Sequence, residues 1–174
     1  VENVHRLQRT ETADFDQVMR ENGTKVLRLV TLFVKNQAVA EDITQEVFLK
    51  VYKNLPYFRG ESSIQTWVYK IAVNESKSYL RSWSFRNIFA KDEIEQESGQ
   101  NVEDEVIGKA NRETVAELVL KMTPKYRQVI ALRYYADLSI KEVAVALGES
   151  EGSVRTRLHR ARAQLKKLVE KEGL

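Results

Sequence analysis

Residues 138–167 read LSIKEVAVALGESEGSVRTRLHRARAQLKK, two short helical patterns divided by one glycine. Before Gly148, Ser139 and Glu142 stand at the spacing of a capping box, and Val143, Ala144 and Leu147 supply one apolar face. Gly148 offers the left-handed turn that ends such a helix, and Ser150 is placed to cap the next. After it, Val154, Leu158, Ala161 and Leu165 recur at steps of four, three and four, the stripe of a single helical face. Four Arg, two Lys and one His share residues 152–167 with that stripe. Two helices joined by a short Gly-containing turn make a helix-turn-helix, whose second helix lies in the major groove of DNA. Ala144 is small where the two helices must cross. On the face opposite Val154, Leu158 and Ala161, the residues expected to meet DNA are Arg155, Thr156, His159 and Arg160, with Ser153 and Arg157 on the same helix. Arg suits guanine O6 and N7, while Thr and His read or position more loosely.

A basic amphipathic helix taken alone also fits a solvated surface or a membrane surface. The membrane reading is weakened by a stripe of Val, Ala and Leu without Trp or Phe. Charge along the chain supports nucleic acid: the net charge is only +3, but residues 92–105 carry seven acids and residues 151–167 carry six Lys or Arg against one Glu. The sequence contains no Cys, so there is no disulfide framework and no thiolate metal site. No apolar run is long enough to span a bilayer, and VENVHRLQRTETADF is too polar for a signal peptide; a cytoplasmic protein is expected. With His5 and His159 as the only histidines and no Gly-rich phosphate loop, catalytic residues, metal and cofactor are all expected to be absent.

The rest of the chain reads as helical, with seven Gly and two Pro in 174 residues. Phe15, Val18, Met19, Val26, Leu29, Val30 and Phe33 form one stripe; Ile43, Val47 and Val51, with Phe48, Tyr52 and Leu55, form a second. KNQAV connects them, and PYFRGESS makes a loop. A third helix is expected from Ser62 or Ser63, capped through Ser62 and Gln65, to about Leu80. The pattern then thins and turns acidic, so residues 84–101 are expected to be a linker. Periodicity returns at Val102, and Thr123 with Pro124 reads as a helix start. The expectation is an all-α protein of two small helical domains, residues 1–83 and 102–174.

The first domain mixes Tyr57, Phe58, Trp67, Tyr69, Tyr79, Trp83 and Phe85 with Arg59, Lys70, Lys77, Arg81 and Arg86. Such interleaving suits single-stranded nucleic acid, where bases stack on aromatic faces and cations follow phosphates. Aromatics at helical spacing are also ordinary core; Trp67 and Ile71 are expected inside, and Phe58, beside Gly60, is expected to be the free platform. Glu41, Asp42, Gln45, Glu46 and Lys50 line a polar helix face that fits a partner protein or plain solvation.

AEDITQEVFLKVYKNLPYFRGESSIQTWVYKIAVNESKSYLR, together with the opening stretch, resembles the bacterial sigma factors of the extracytoplasmic-function (ECF) group, group 4 of the sigma-70 family. The resemblance spans about residues 12–83 and 105–170. It implies a promoter-specificity subunit rather than an enzyme. The first domain would be region 2, which binds the β′ clamp helices of core RNA polymerase and opens the −10 element. The second would be region 4, which reads the −35 element as duplex and meets the polymerase β flap. Asp42, Gln45, Glu46 and Phe48 match the pattern tied to polymerase contact. Phe58, with Arg59, would wall a pocket for a flipped base, Asn74 would contact that base, and Lys77 and Arg81 would face phosphates. Relatives commonly carry Pro shortly before the Gly of GSV, where this chain has ESEGSV; Glu151 favours the helix dipole and repels a phosphate placed there. The resemblance also implies an anti-sigma factor as partner. A reading from another class is a stand-alone helix-turn-helix regulator that binds a palindromic operator as a dimer.

Overall fold

The computed structural model describes residues 2–90 and 112–173, and the side chains of these except residues 2–13, 85, 87–90, 112 and 113. Seven α-helices carry the described chain: α1 (Glu2–Val34), α2 (Gln37–Asn54), α3 (Ile64–Ala90), α4 (Arg112–Leu120), α5 (Pro124–Ile130), α6 (Ile140–Leu147) and α7 (Glu151–Glu172). A 3-10 turn, Leu55–Tyr57, follows α2, and a π-helical stretch, Ala131–Tyr135, prolongs α5. No strand occurs among the described residues, as the helical periodicity requires.

The first three helices pack on one another, and α4–α7 form a second group. Local chemistry sets their ends. Lys35 takes a left-handed φ of 58° after α1, and the Asn36 side chain then accepts from the Val39 N–H to start α2. Ser63 starts α3 by accepting from Thr66 N. The predicted Ser62–Gln65 box is therefore displaced by one residue: Ser62 Oγ bonds the Ser63 carbonyl, and the Gln65 amide donates to Tyr69 Oη instead. Thr123 precedes Pro124 as expected, but its side chain makes no cap bond. Gln164 of α7 donates to its hydroxyl and accepts from its backbone N–H, tying the start of α5 to α7.

Three expectations need revision. Helix α3 continues past Leu80, through Ser84 to Ala90, into the stretch read as linker; residues 91–101 of that stretch, and Val102 and Val106 beyond it, lie outside the described residues. Met19 and Tyr52, assigned to apolar stripes, are exposed: Tyr52 lies at the edge of the apolar arc of α2, whereas Met19 shares the face of Val26 and Phe33, one and two heptads before them. Tyr52 instead takes Phe15 edge-on, ring centroids 5.2 Å apart.

The two groups of helices are docked. Helix α3 packs against α6, and α1 against α5 and the π-helical stretch, so that one buried cluster runs from Val26, Val30 and Val73 to Val129, Leu132 and Leu147.

Candidate nucleic-acid and polymerase interfaces

The helix-turn-helix forms as its sequence dictates. Ser139 accepts from Glu142 N at 3.1 Å while the Glu142 carboxylate accepts from Ser139 N at 2.7 Å, closing the capping box. Gly148 ends α6 with φ 67° and ψ 37°. Ser150 caps α7 by accepting from Ser153 N. Val154, Leu158 and Ala161 are fully buried and Ala144 is buried at the crossing, so α7 has one permitted rotation. That rotation exposes Arg155, Thr156, His159 and Arg160 together.

The other two residues assigned to this helix are engaged at its start. Arg157 is half-buried and donates to Glu149 at 2.6 Å; Ser153 Oγ donates to the other Glu149 oxygen. Arg157 thus braces the turn before α7, because a partly buried guanidinium beside a carboxylate is held by two-sided chemistry that a passing phosphate must displace. Arg155 touches Glu151 at 3.3 Å across an exposed i,i+4 pair, which is weak enough to exchange for DNA.

In the first group, Asn74, Lys77 and Arg81 fall at i, i+3 and i+7 along α3 and so share a face. Lys70, four residues before Asn74 and exposed, completes that row. Asn74 and Arg81 are exposed, whereas Lys77 is half-buried and donates to the Leu147 carbonyl of α6 at 3.3 Å. Arg59 is exposed beside Gly60, which takes a left-handed φ of 71°. Phe58 is less free than expected: its ring rests 5.1 Å from that of Trp67, tilted 45°. The freely presented loop aromatic is Tyr57, 78% exposed. Tyr69 is buried, and burial pushes its phenol above the usual range, partly offset by the Gln65 hydrogen bond.

On α2, Asp42, Gln45 and Glu46 are exposed and Phe48 is 4% exposed. Phe48 therefore supports the face from beneath and offers nothing to a partner. Leu49, one turn after Gln45, is 51% exposed and brings an apolar side chain to the acidic face. A Leu outside the Ile43–Val47–Val51 stripe was the available signal. Lys50 turns toward α3 and pairs with Glu75.

No His, Cys, Asp and Glu cluster suited to a metal occurs among the described residues, and no described helix is long and apolar enough to cross a membrane.

Two family models match the chain: Sigma-70 region 2 over residues 18–85 and Sigma-70 region 4 over residues 112–165. The ECF RNA polymerase sigma-E factor of Escherichia coli (strain K12) is 32% identical, with 96% of this chain and 92% of that protein covered. The RNA polymerase sigma-H factor of Pseudomonas aeruginosa is 30% identical over the same shares of the two chains. Among solved structures, the sigma factor RpoE from Bartonella quintana, crystallised with the anti-sigma factor NepR, aligns with a TM-score of 0.74 at 22% identity, covering 90% of this chain and 97% of that one. CnrH in complex with the cytosolic domain of CnrY aligns at 0.66 and 22% identity, covering 92% and 90%. The helix-turn-helix at one end and the three-helix group at the other are thus regions 4 and 2 of one design, and the chain belongs to the ECF-type sigma factors of the sigma-70 family.

Proposed function

We propose that this chain is a group 4 sigma factor that brings core RNA polymerase to promoters with specific −10 and −35 elements and helps open them. The single observation that carries this is the α7 face, where Arg155, Thr156, His159 and Arg160 are exposed together opposite a fully buried stripe. In this reading those four side chains take the −35 duplex in its major groove, Arg155 and Arg160 supplying base-directed donors. Ser153 and Arg157 act there by shaping the start of α7.

In region 2, Asn74, Arg59 and the Phe58–Trp67 pair receive an unpaired base of the −10 strand, with Tyr57 as a further stacking surface. Lys70, Lys77 and Arg81 follow its phosphates. Base capture offsets the few kcal/mol that unstacking costs. Asp42, Gln45 and Glu46, with Leu49, meet the β′ clamp helices, and region 4 meets the β flap. Catalysis stays with the polymerase, and the work is cytoplasmic. An anti-sigma factor restrains the chain, a reading supported by the solved sigma factor RpoE, crystallised with the anti-sigma factor NepR.

The test is run-off transcription from a promoter library with core polymerase. The chain plus core is expected to initiate at a defined subset of promoters, and R155A and R160A each to reduce that output about fivefold or more, at about 1–3 kcal/mol per base-directed pair. Footprinting of a palindrome by the chain alone, without core, would replace this reading with that of a dimeric operator-binding regulator.

A further inference from the structure

Among the described residues, the hydrogen bonds between the two regions are of one kind, a cation on helix-end carbonyls. Arg127, in α5 of region 4, is 4% exposed and makes no ion pair among the described residues. Its guanidinium instead donates to four carbonyls. Two belong to its own region, Met122 at 2.9 Å and Leu120 at 3.4 Å. Two belong to region 2: Nε donates to Leu32 at 2.7 Å and Nη2 to Phe33 at 3.0 Å. These are the last carbonyls of α1, next to Thr31, whose own carbonyl takes the Lys35 N–H. A helix end leaves such acceptors unpaired and carries the negative pole of the helix dipole, so a cation is favoured there.

The return contact is built the same way. Lys77 of region 2 donates to the Leu147 carbonyl at the end of α6, where the Gly148 and Glu149 N–H groups have already taken Val145 and Ala144. Each region therefore lends one cation to a helix end of the other.

We propose that this reciprocal pair, Arg127 on the end of α1 and Lys77 on the end of α6, latches the chain in a self-closed state that is incompatible with promoter binding and needs no second protein. The incompatibility rests on the sigma reading above and on length. Positions −10 and −35 lie roughly 85 Å apart at about 3.4 Å per base pair, whereas a compact chain of this size is only about 40 Å across. The closed body cannot grip both. It also spends Lys77, a phosphate-facing residue of region 2, on region 4 backbone. Any promoter or polymerase affinity is then reduced by the fraction of molecules that are open, and whatever separates the regions activates the chain.

The chain has no Cys, so the full-length protein with Lys53→Cys and Lys167→Cys, both at exposed positions, can carry two spin labels for pulsed electron-spin distance measurement. The expected result is one narrow distance distribution for the free chain. Arg127→Lys, which retains the charge but loses the fork that spans two helix ends, should add a longer, broader population and raise the open fraction about tenfold. A distribution in Arg127→Lys identical to that of the parent, or a parent that is already broad, overturns the latch. Should far-UV circular dichroism show that Arg127→Lys has lost helix, Lys77→Gln is read in its place, with the same shift expected and the same null result fatal. The distances involve neither polymerase nor promoter. A failed latch with intact run-off transcription sinks only this proposal, and a narrow, Arg127-dependent distance with no transcription sinks only the sigma reading.

Discussion

Helices α7 and α3 both carry cations that the proposed function assigns to DNA, and they manage them in opposite ways. In α7 the structural and recognition roles are segregated: Val154, Leu158 and Ala161 face inward and Arg155, Thr156, His159 and Arg160 face out. In α3 the roles overlap, since Lys77 holds the other region and Phe58 leans on Trp67. A recognition face that does no packing can change its contacts without cost to the fold. One that also packs can be controlled by the fold.

The largest effect is expected where segregation is broken from the inside. Leu158→Ala removes a side chain that is 1% exposed, and leucine truncation in a core costs about 2–5 kcal/mol. Thermal unfolding followed by circular dichroism should show a midpoint lower by roughly 5–20 °C. R160A, at an exposed position two residues on, should leave the midpoint within about 0.5 kcal/mol of the parent while weakening −35 binding by the holoenzyme. If R160A destabilised the chain as Leu158→Ala does, the two faces of α7 would not be separate.

A middle-sized effect belongs to the turn that aims α7. A Cβ at Gly148 would meet nothing within 4 Å, yet the residue sits at φ 67°. Gly148→Ala therefore tests backbone strain alone, expected at about 1–2 kcal/mol. Ser139→Ala, which opens the capping box, should cost about 1 kcal/mol. The same thermal measurement checks both, and a cost for Gly148→Ala well above this range would mean that the turn is also packed.

The same contrast explains what was legible in the sequence. The caps, the Gly148 turn and the α7 stripe depend on residues within a few positions of one another, so spacing alone specifies them. The α3–α6 docking does not. Arg127 looks like one more cation in TPKYRQVIALRYY, and its burial depends on carbonyls of α1 some 95 residues away. Nothing local marks that. Phe48 and Leu49 illustrate the intermediate case: period separates the buried residue from the exposed one, but only once the rotation of α2 is fixed by Ile43, Val47 and Val51. The far end of α3 reads as linker because the acidic, apolar-poor stretch that follows blurs its boundary, although Phe85, Ile88 and Phe89 keep a helical spacing and α3 runs on to Ala90.

The smallest effect has the opposite sign. Ser76, the residue before Lys77, is fully buried and its hydroxyl has no hydrogen-bond partner among the described residues. A helical serine can bond back to the carbonyl four residues earlier; here that bond is missing, and an unsatisfied buried polar group costs about 1–3 kcal/mol. Alanine is smaller, favours helix and brings no polar atom, so Ser76→Ala should leave the unfolding midpoint unchanged or raise it, by an amount worth up to about 1 kcal/mol. Because only the inner side of α3 changes, the outer row of Lys70, Asn74 and Arg81 keeps its positions and −10 binding should not move. A lower midpoint would mean that the hydroxyl is paired after all. α3 would then be held from within by a polar network, and its overlap of packing and recognition would extend beyond Lys77.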